Sequence, residues 1–316
     1  MVECKICGKM FENDTALHRH LRSHKVLVVD YYHAHYPRYD LYTNDLIKFK
    51  NKNQYFSEDF NSRPNMRQWF KTIDQEKAKN YCHDYLNKRI KNKKLKYTPC
   101  EVQVRSIMCP PVPFLQSSLG GYYNYVEQNF GLKNKYTKYP ESIQVKEPKN
   151  NSLTKEVYKI FVDTREQKPL KFNYPIEVQT LKFGDYCFSD SAVSLNTYIE
   201  RKSITDFIGT MSGGYERFKK EVERSEEAGA KLIVLVEESL SNCLSFNFLP
   251  YVSKKIKASP EFIFHNVRDL LQTYENLHFL FVKGRTEATR VTEKLFLNGA
   301  AYHKVDLQLA YDLKML

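Results

Sequence analysis

From residue 157 onward, apolar runs alternate with amphipathic stretches. "VYKIFVD" (157–163) reads as a buried strand ending in an acid, "IEVQTLKFGDYCF" (176–188) as two short strands around a glycine, and "AVSLNTYIERK" (192–202) as a further strand. "SGGYERFKKEVERSEEAG" (212–229) has helical periodicity with Gly229 as its stop. "KLIVLVEES" (231–239) is the continuous apolar run of a strand buried on both faces. A helix near 259–274, a strand at "LHFLFV" (277–282) and a helix near 285–297 follow. Strands alternating with helices predict an α/β unit, a mixed central sheet flanked by helices.

Three of these predicted strand ends carry acids: Asp163 in "VDTRE", Asp185 in "GDY" and Glu200 in "ERK". Ligands of open α/β sheets bind beyond the carboxyl ends of strands, so acids there stand out from ordinary surface acids. Two like charges about 4 Å apart repel by roughly 4 kcal/mol at an effective dielectric of 20. A cleft holding three carboxylates therefore either raises their pKa values or binds a divalent cation, and oxygen ligands favour Mg²⁺ or Mn²⁺ over zinc. Strand alternation puts Glu200 and Lys202 on one face and Arg201 on the other. Lys202 is thus placed to orient a water and to stabilise charge on a phosphate beside the metal. The "SITD" that follows has the form of a capping box, with Ser203 as N-cap and Asp206 three positions on.

At the other end, "CKICGKMFENDTALHRHLRSH" spaces Cys4 and Cys7 by two residues, His20 twelve residues later, and His24 after three more. Tetrahedral Zn²⁺ needs a tight turn bearing two thiolates and a helix presenting two imidazoles one turn apart, and this spacing supplies both. Phe11 and Leu17 fall where so small a unit needs its core. The stretch resembles a two-Cys two-His zinc finger, which implies a ββα unit over 1–25 whose base-facing positions are Asn13, Ala16 and Arg19. His18 reads as a surface residue. One such finger covers about three base pairs and serves as an accessory grip.

Residues 26–152 are rich in Tyr and Lys, and read as an α-rich or mixed middle region. "DYYHAHYPRYDLYT" (30–43) interleaves aromatics with basic and polar residues, and "NKRIKNKKLKY" (87–97) is a basic run on a helix that begins near Asp74. Such segments suit stacking on bases and neutralising phosphates, and equally suit a small core with a solvated face. His33, His35, Cys82, His83, Cys100 and Cys109 follow no metal-ligand spacing and read as ordinary thiols and imidazoles. "CPPVPFLQSSLGGYY" (109–123) reads as a loop, and the polar stretch 133–156 as a linker with a boundary near 153.

Charge sharpens this division. The chain carries +12 overall, of which +11 falls in residues 1–150 and +1 in residues 151–316. A basic N-terminal half fits a polyanionic partner, DNA first of all, beside a half that gathers carboxylates. Seven unevenly spread cysteines do not form a disulfide framework and point to a reducing, intracellular compartment, cytoplasm or nucleus. The opening "MVECKICGKMF" has no apolar signal region, and no run of about 18 apolar residues suggests a membrane span.

The order Asp, Gly-Asp, Glu-x-Lys resembles the PD-(D/E)-x-K nuclease core. More specifically, "VDTRE", "GDY" and "ERKSITDF" resemble the nuclease domain of XPF-type structure-specific DNA endonucleases, over about residues 157–298. The resemblance implies a restriction-endonuclease-like fold over 153–300 followed by a tail, 301–316. It implies Asp163, Asp185 and Glu200 as metal ligands and Lys202 as the water-orienting group, with Arg165, Glu166 and Arg201 supporting them. It also implies branched, flap or nicked DNA as substrate and a homodimer or heterodimer through this domain. The helix-hairpin-helix module common in that family is not found, which leaves the finger and the basic middle region to hold DNA. The competing expectation is a non-catalytic scaffold that keeps the nuclease fold for dimerisation; the intact Asp163, Asp185, Glu200 and Lys202 argue against it.

Overall fold

The computed structural model describes residues 1–108, 110, 114–138, 140, 143 and 158–316. These divide into two units, one built from Met1–Ala78 and the other from Lys79–Met108 together with the described residues from 114 to 316. No helix among the described residues is long and apolar enough to cross a membrane.

In the first unit, strands β1 (Val2–Glu3) and β2 (Met10–Phe11) pair antiparallel and lead into helix Asp14–His20, which tightens into a 3₁₀ turn over Leu21–His24. The Asn13 side chain caps that helix by accepting the Ala16 N–H at 3.0 Å. The finger does not stand alone. Cys4, Leu17 and Leu21 share one buried cluster with Val29, Tyr31, Tyr32, Ile47, Phe49 and Tyr55. Of the aromatics in 30–43 that suited either base stacking or a small core, Tyr31 and Tyr32 are core residues, while Tyr39 and Tyr42 remain exposed. His18, read as a surface residue, packs edge-on against Tyr32 with its Nε2 3.1 Å from the tyrosine hydroxyl.

The second unit is organised by a six-stranded sheet in the order β4 (Ile176–Gln179), β3 (Ile160–Asp163), β5 (Tyr186–Phe188), β6 (Thr197–Lys202), β7 (Lys231–Val236), β8 (Leu277–Phe281). β5 runs antiparallel to both neighbours, and all other pairs are parallel. The mixed sheet flanked by helices is the expected architecture. Apart from Lys231 at the start of β7 and the buried His278 in β8, the side chains of these two strands are apolar, because both faces are covered. On one face Ile233, Leu235 and Leu280 pack with Val291, Leu295 and Leu307. On the other, Phe207 and Phe264 meet Phe281 at ring distances of 5.3 and 5.8 Å. Residues 192–194, expected to belong to a strand, form a short helix, Ser191–Ser194, capped by Asp190.

The rest of this unit departs from the sequence reading. Residues 114–130, taken partly as a loop, form helices Phe114–Ser118 and Tyr122–Phe130. Of the expected linker, residues 133–136 are packed. The buried Lys135 ammonium donates to the carbonyls of Leu271 and Tyr274, where the last carbonyls of helix Pro260–Thr273 lack intrahelical partners. The expected boundary at 153 and Cys109 lie outside the described residues. Residues 301–316 are not a tail. Helix Leu307–Asp312 is buried, and the Gln308 amide accepts the Phe281 N–H at 2.9 Å while donating to the Phe281 carbonyl at 3.3 Å, satisfying the free edge of β8. Its N-cap, Asp306, is 3% exposed and also accepts the Glu101 N–H and the Tyr123 hydroxyl, each at 2.6 Å, so one carboxylate caps two helices.

Asp306→Ala should cost about 3 kcal/mol, since a cap is lost and a buried N–H and hydroxyl go unpaired. Denaturant unfolding of the full chain checks this, with Asp306→Asn falling between variant and parent.

Candidate functional site

Because β5 is antiparallel, its amino end meets the carboxyl ends of β3 and β6. Asp185 therefore stands at the start of a strand rather than at its end, yet reaches the same edge of the sheet as Asp163 and Glu200. Gly184 makes this possible. Its φ is +58°, and a Cβ there would sit 2.7 Å from the Ile199 carbonyl oxygen. The Asp185 N–H donates to that oxygen at 2.8 Å, and an Asp185 carboxylate oxygen accepts the Arg201 N–H at 2.7 Å. The Gly-Asp pair thus clamps the loop onto β6 and fixes Asp185 beside Glu200.

Glu200 and Lys202 share a face of β6, and their side chains form an ion pair with only 12% and 17% exposure. A cavity of about 340 Å³ opens over them, lined by Arg165, Asp185, Glu200, Lys202, Arg217, Glu221 and Arg224 among others. Burial, then the neighbouring Glu200 charge, pushes the Asp185 carboxyl up to about 7. Burial also raises Glu200, partly offset by Lys202 and reinforced by Glu221. Two shielded carboxyls with raised pKa values, facing a polar cavity, are the donor set that a hard divalent cation relieves, so Asp185 and Glu200 fit such an ion.

Asp163 is placed differently from its sequence expectation. It is 2% exposed and does not line the cavity. Its carboxylate accepts the Leu181 N–H at 2.8 Å, the Arg165 N–H at 2.8 Å and the Arg165 guanidinium at 2.6 and 3.1 Å. Burial opposes its charge, but these donors outweigh burial and hold its pKa below the usual range. It braces the end of β3, and a cation would have to compete with those N–H groups for it.

Arg201 occupies the opposite face, as alternation requires. Its guanidinium donates twice to Glu166, at 3.0 and 2.9 Å, and to Glu237 at 3.1 Å, with Glu166 5% exposed. Burial alone would lower the Arg201 pKa, but this pairing raises it. Arg201 and Glu166 thus fix the strand end from behind the site. Ser203 caps helix Ile204–Thr210 by accepting the Asp206 N–H at 3.2 Å, and its hydroxyl donates to the Asp206 carboxylate at 2.7 Å.

Three residues were missed by the sequence reading. Arg217, Glu221 and Arg224 lie on helix Tyr215–Glu227, which had been read only as amphipathic. Their spacing of four and three places them on one face. That face looked like ordinary charged surface because the sequence does not reveal which side of the helix meets the sheet edge.

In the first unit, the ligand atoms of Cys4, Cys7, His20 and His24 lie within 4.8 Å of one another, the only such group of three or more among the described residues. Cys7 Sγ is 3.3 Å from His20 Nε2, Cys4 Sγ 3.8 Å from His24 Nε2, and the two Nε2 atoms 3.0 Å apart. Zn–S bonds of about 2.3 Å and Zn–N bonds of about 2.0 Å imply edges of roughly 3.3–3.8 Å, which both sulfur–nitrogen distances meet, while the two imidazoles stand a few tenths of an ångström closer, so the four fit zinc with a small shift of the rings. Of the proposed base-facing positions, Arg19 is exposed, whereas the Asn13 side chain is engaged in its cap. Cys82 and Cys100 are buried, the His33 ring nitrogen accepts the Phe49 N–H at 3.0 Å, and His83 bonds the Tyr125 hydroxyl.

Residues 162–295 match the family described as the ERCC4 domain, and residues 2–25 match one described as zinc-finger double-stranded RNA-binding. Two solved structures of XPF from Aeropyrum pernix are similar in part. The one in complex with DNA is 20% identical over 43% of this chain and 62% of its own, with a TM-score of 0.34; the other is 19% identical over 44% and 63%, with a TM-score of 0.33. The chain thus spans less than two thirds of those structures. No curated protein matches it.

The Asp185 carboxyl titrates near 7 in the fold and near 4 in the unfolded chain, so the native state keeps an extra proton between those values and stability falls as pH rises through them. Asp185→Asn should therefore stabilise the cation-free protein by up to about 4 kcal/mol at pH 8 and have little effect at pH 4. Unfolding curves in EDTA test this, and added Mg²⁺ should stabilise only the parent. Cys7→Ser should release bound zinc and lower the unfolding midpoint, because Cys4, Leu17 and Leu21 share the core of the whole first unit. Metal content by mass spectrometry and a melting curve read this out.

Proposed function

We propose that the ERCC4 domain of this chain is a working endonuclease that hydrolyses phosphodiester bonds in DNA with Mg²⁺ or Mn²⁺ at Asp185 and Glu200. The observation that carries this reading is the shielded Asp185–Glu200 pair, with Lys202 beside it, at the floor of a cavity rimmed by Arg165, Arg217 and Arg224. An acidic floor suits a cation and an arginine rim suits a phosphate, and the two together suit a scissile phosphate bound to both.

When bound, the divalent cation supplies Lewis-acid charge neutralisation. The chain's residues supply the rest. Arg217 and Arg224 would hold the phosphate, Asp185 and Glu200 would hold the cation, and Lys202, beside Glu200, would orient the attacking water and stabilise charge on the phosphate. Asp185 is kept in register by the Arg201 N–H, and Arg201 by Glu166 and Glu237. Asp163 enters this reading as a third ligand only if the cation displaces Arg165.

DNA with a branch, flap or nick is the proposed substrate, and the finger is proposed to hold a duplex by its backbone. The engagement of Asn13 in its cap and the exposure of Arg19 favour backbone contact over base reading. A homodimer or heterodimer through the nuclease domain would have to leave undisturbed the contacts that Tyr97 and Lys135 make with helix Pro260–Thr273 and Arg105 with helix Leu307–Asp312.

Cleavage of labelled duplex, single-stranded, nicked, flap and forked DNA with Mg²⁺, Mn²⁺ or EDTA tests the proposal. Cutting should require the cation and fall at least about 10³-fold in Lys202→Ala and in Asp185→Asn, with DNA binding kept. Arg217→Ala should lose about tenfold to a hundredfold by weaker phosphate binding. Binding without cutting by the parent under every condition would sink it.

A further inference from the structure

β7 ends at Val236 in register with Lys202, and the Glu237 N–H donates to the Lys202 carbonyl at 2.9 Å. The segment that leaves this point, 238–259, therefore rises from the end of the sheet that carries Asp185, Glu200 and Lys202. It is well anchored, because Leu240, Cys243, Leu244, Phe246 and Val252 are buried. Between these anchors Phe248 is 82% exposed and Tyr251 58% exposed, and Phe262, in the first turn of the next helix, is 49% exposed. The Tyr251 hydroxyl donates to the Glu238 carboxylate, which also accepts from the Ser239 N–H and the Asn242 amide, so the ring is tethered two residues beyond the strand end. Lys254, Lys255 and Lys257 are exposed beside it, and no acid occurs between Glu238 and Glu261.

Solitary exposed aromatics are common, but two on one anchored segment that could have turned inward, as Phe246 and Val252 do, with a third in the first turn of the next helix, mark a contact surface. The lysines decide what it contacts. A purely apolar partner would strand three ammonium groups, whereas a nucleic-acid strand offers bases for the rings and phosphates for the lysines. Bases in duplex are already stacked on one another, so the rings can take only bases that have come unpaired.

We propose that Phe248, Tyr251 and Lys254–Lys257 form a platform that stacks the unpaired bases of a single-stranded arm next to the scissile phosphate, and so select branched over fully paired DNA. The proposal rests on the nuclease reading for its purpose, but its binding test does not. Anisotropy of the full chain in EDTA, with a labelled oligothymidine strand, a flap and a fully paired duplex, measures it. Phe248→Ser combined with Tyr251→Ser should weaken strand and flap binding about tenfold or more and leave duplex binding within about twofold; Phe248→Trp should retain it. Changing the three lysines to Gln should weaken all three ligands and flatten the log–log salt dependence by about two. Unchanged strand affinity in the aromatic variant overturns the proposal, as does a shift in sedimenting mass that tracks the loss and shows the rings pairing two copies. If the parent cuts nothing yet the aromatic variant still loses the strand, the nuclease reading fails and the platform stands.

Discussion

The close approach of the Gly184 backbone to β6 is the constraint on which the second unit turns. Any side chain at 184 would collide with the Ile199 carbonyl, and that same carbonyl takes the Asp185 N–H. The contact brings two antiparallel strands together at their functional ends and aims Asp185 at Glu200. It also commits the Arg201 N–H to Asp185, while strand alternation sends the Arg201 side chain to the other face, where Glu166 and Glu237 receive it. Acid pair, lysine and buried arginine network all follow from one permitted backbone approach.

The same edge of the sheet shows how charge is partitioned. On one face, carboxyls are left partly unsatisfied around a cavity, at a cost to the fold that a ligand can relieve. On the other, Glu166 and Glu237 are matched by Arg201 and Arg285, while beside the cavity Asp163 is satisfied by Arg165 and Leu181. A site that is electrostatically strained is thereby held by neighbours that are not.

The sheet and the residues at its edge were legible because they depend on local patterns. Continuous apolar runs over 231–236 and 277–281, alternation over 197–202, and the Gly-Asp and Glu-Arg-Lys motifs each state their own structure. The finger was legible because ligand spacing fixes geometry directly. What was not legible depends on contacts between distant residues. Nothing near Asp163 announces that Leu181 will take its second oxygen, nothing in "RFKKEVER" says which face of that helix meets the sheet edge, and nothing in "YYHAHY" says that Tyr31 and Tyr32 will close the core of the finger. Residues 79–138 hid for the same reason. Their polar composition looked like a linker and a DNA grip, yet Lys135, Arg105 and Glu101 spend their hydrogen bonds on helices more than a hundred positions away.

Asp306 has a consequence for how this protein divides. A carboxylate that caps one helix from the middle of the chain and one from its end makes those two segments a single piece of architecture with the sheet between them. The segment shared with relatives, 162–295, is therefore smaller than the body that folds. Similarity and autonomy do not coincide here: the segment that matches the ERCC4 domain can be recognised by itself, yet in this chain it depends on what lies on either side of it. Exchange of the core between relatives would have to carry its two flanking segments with it, or replace them.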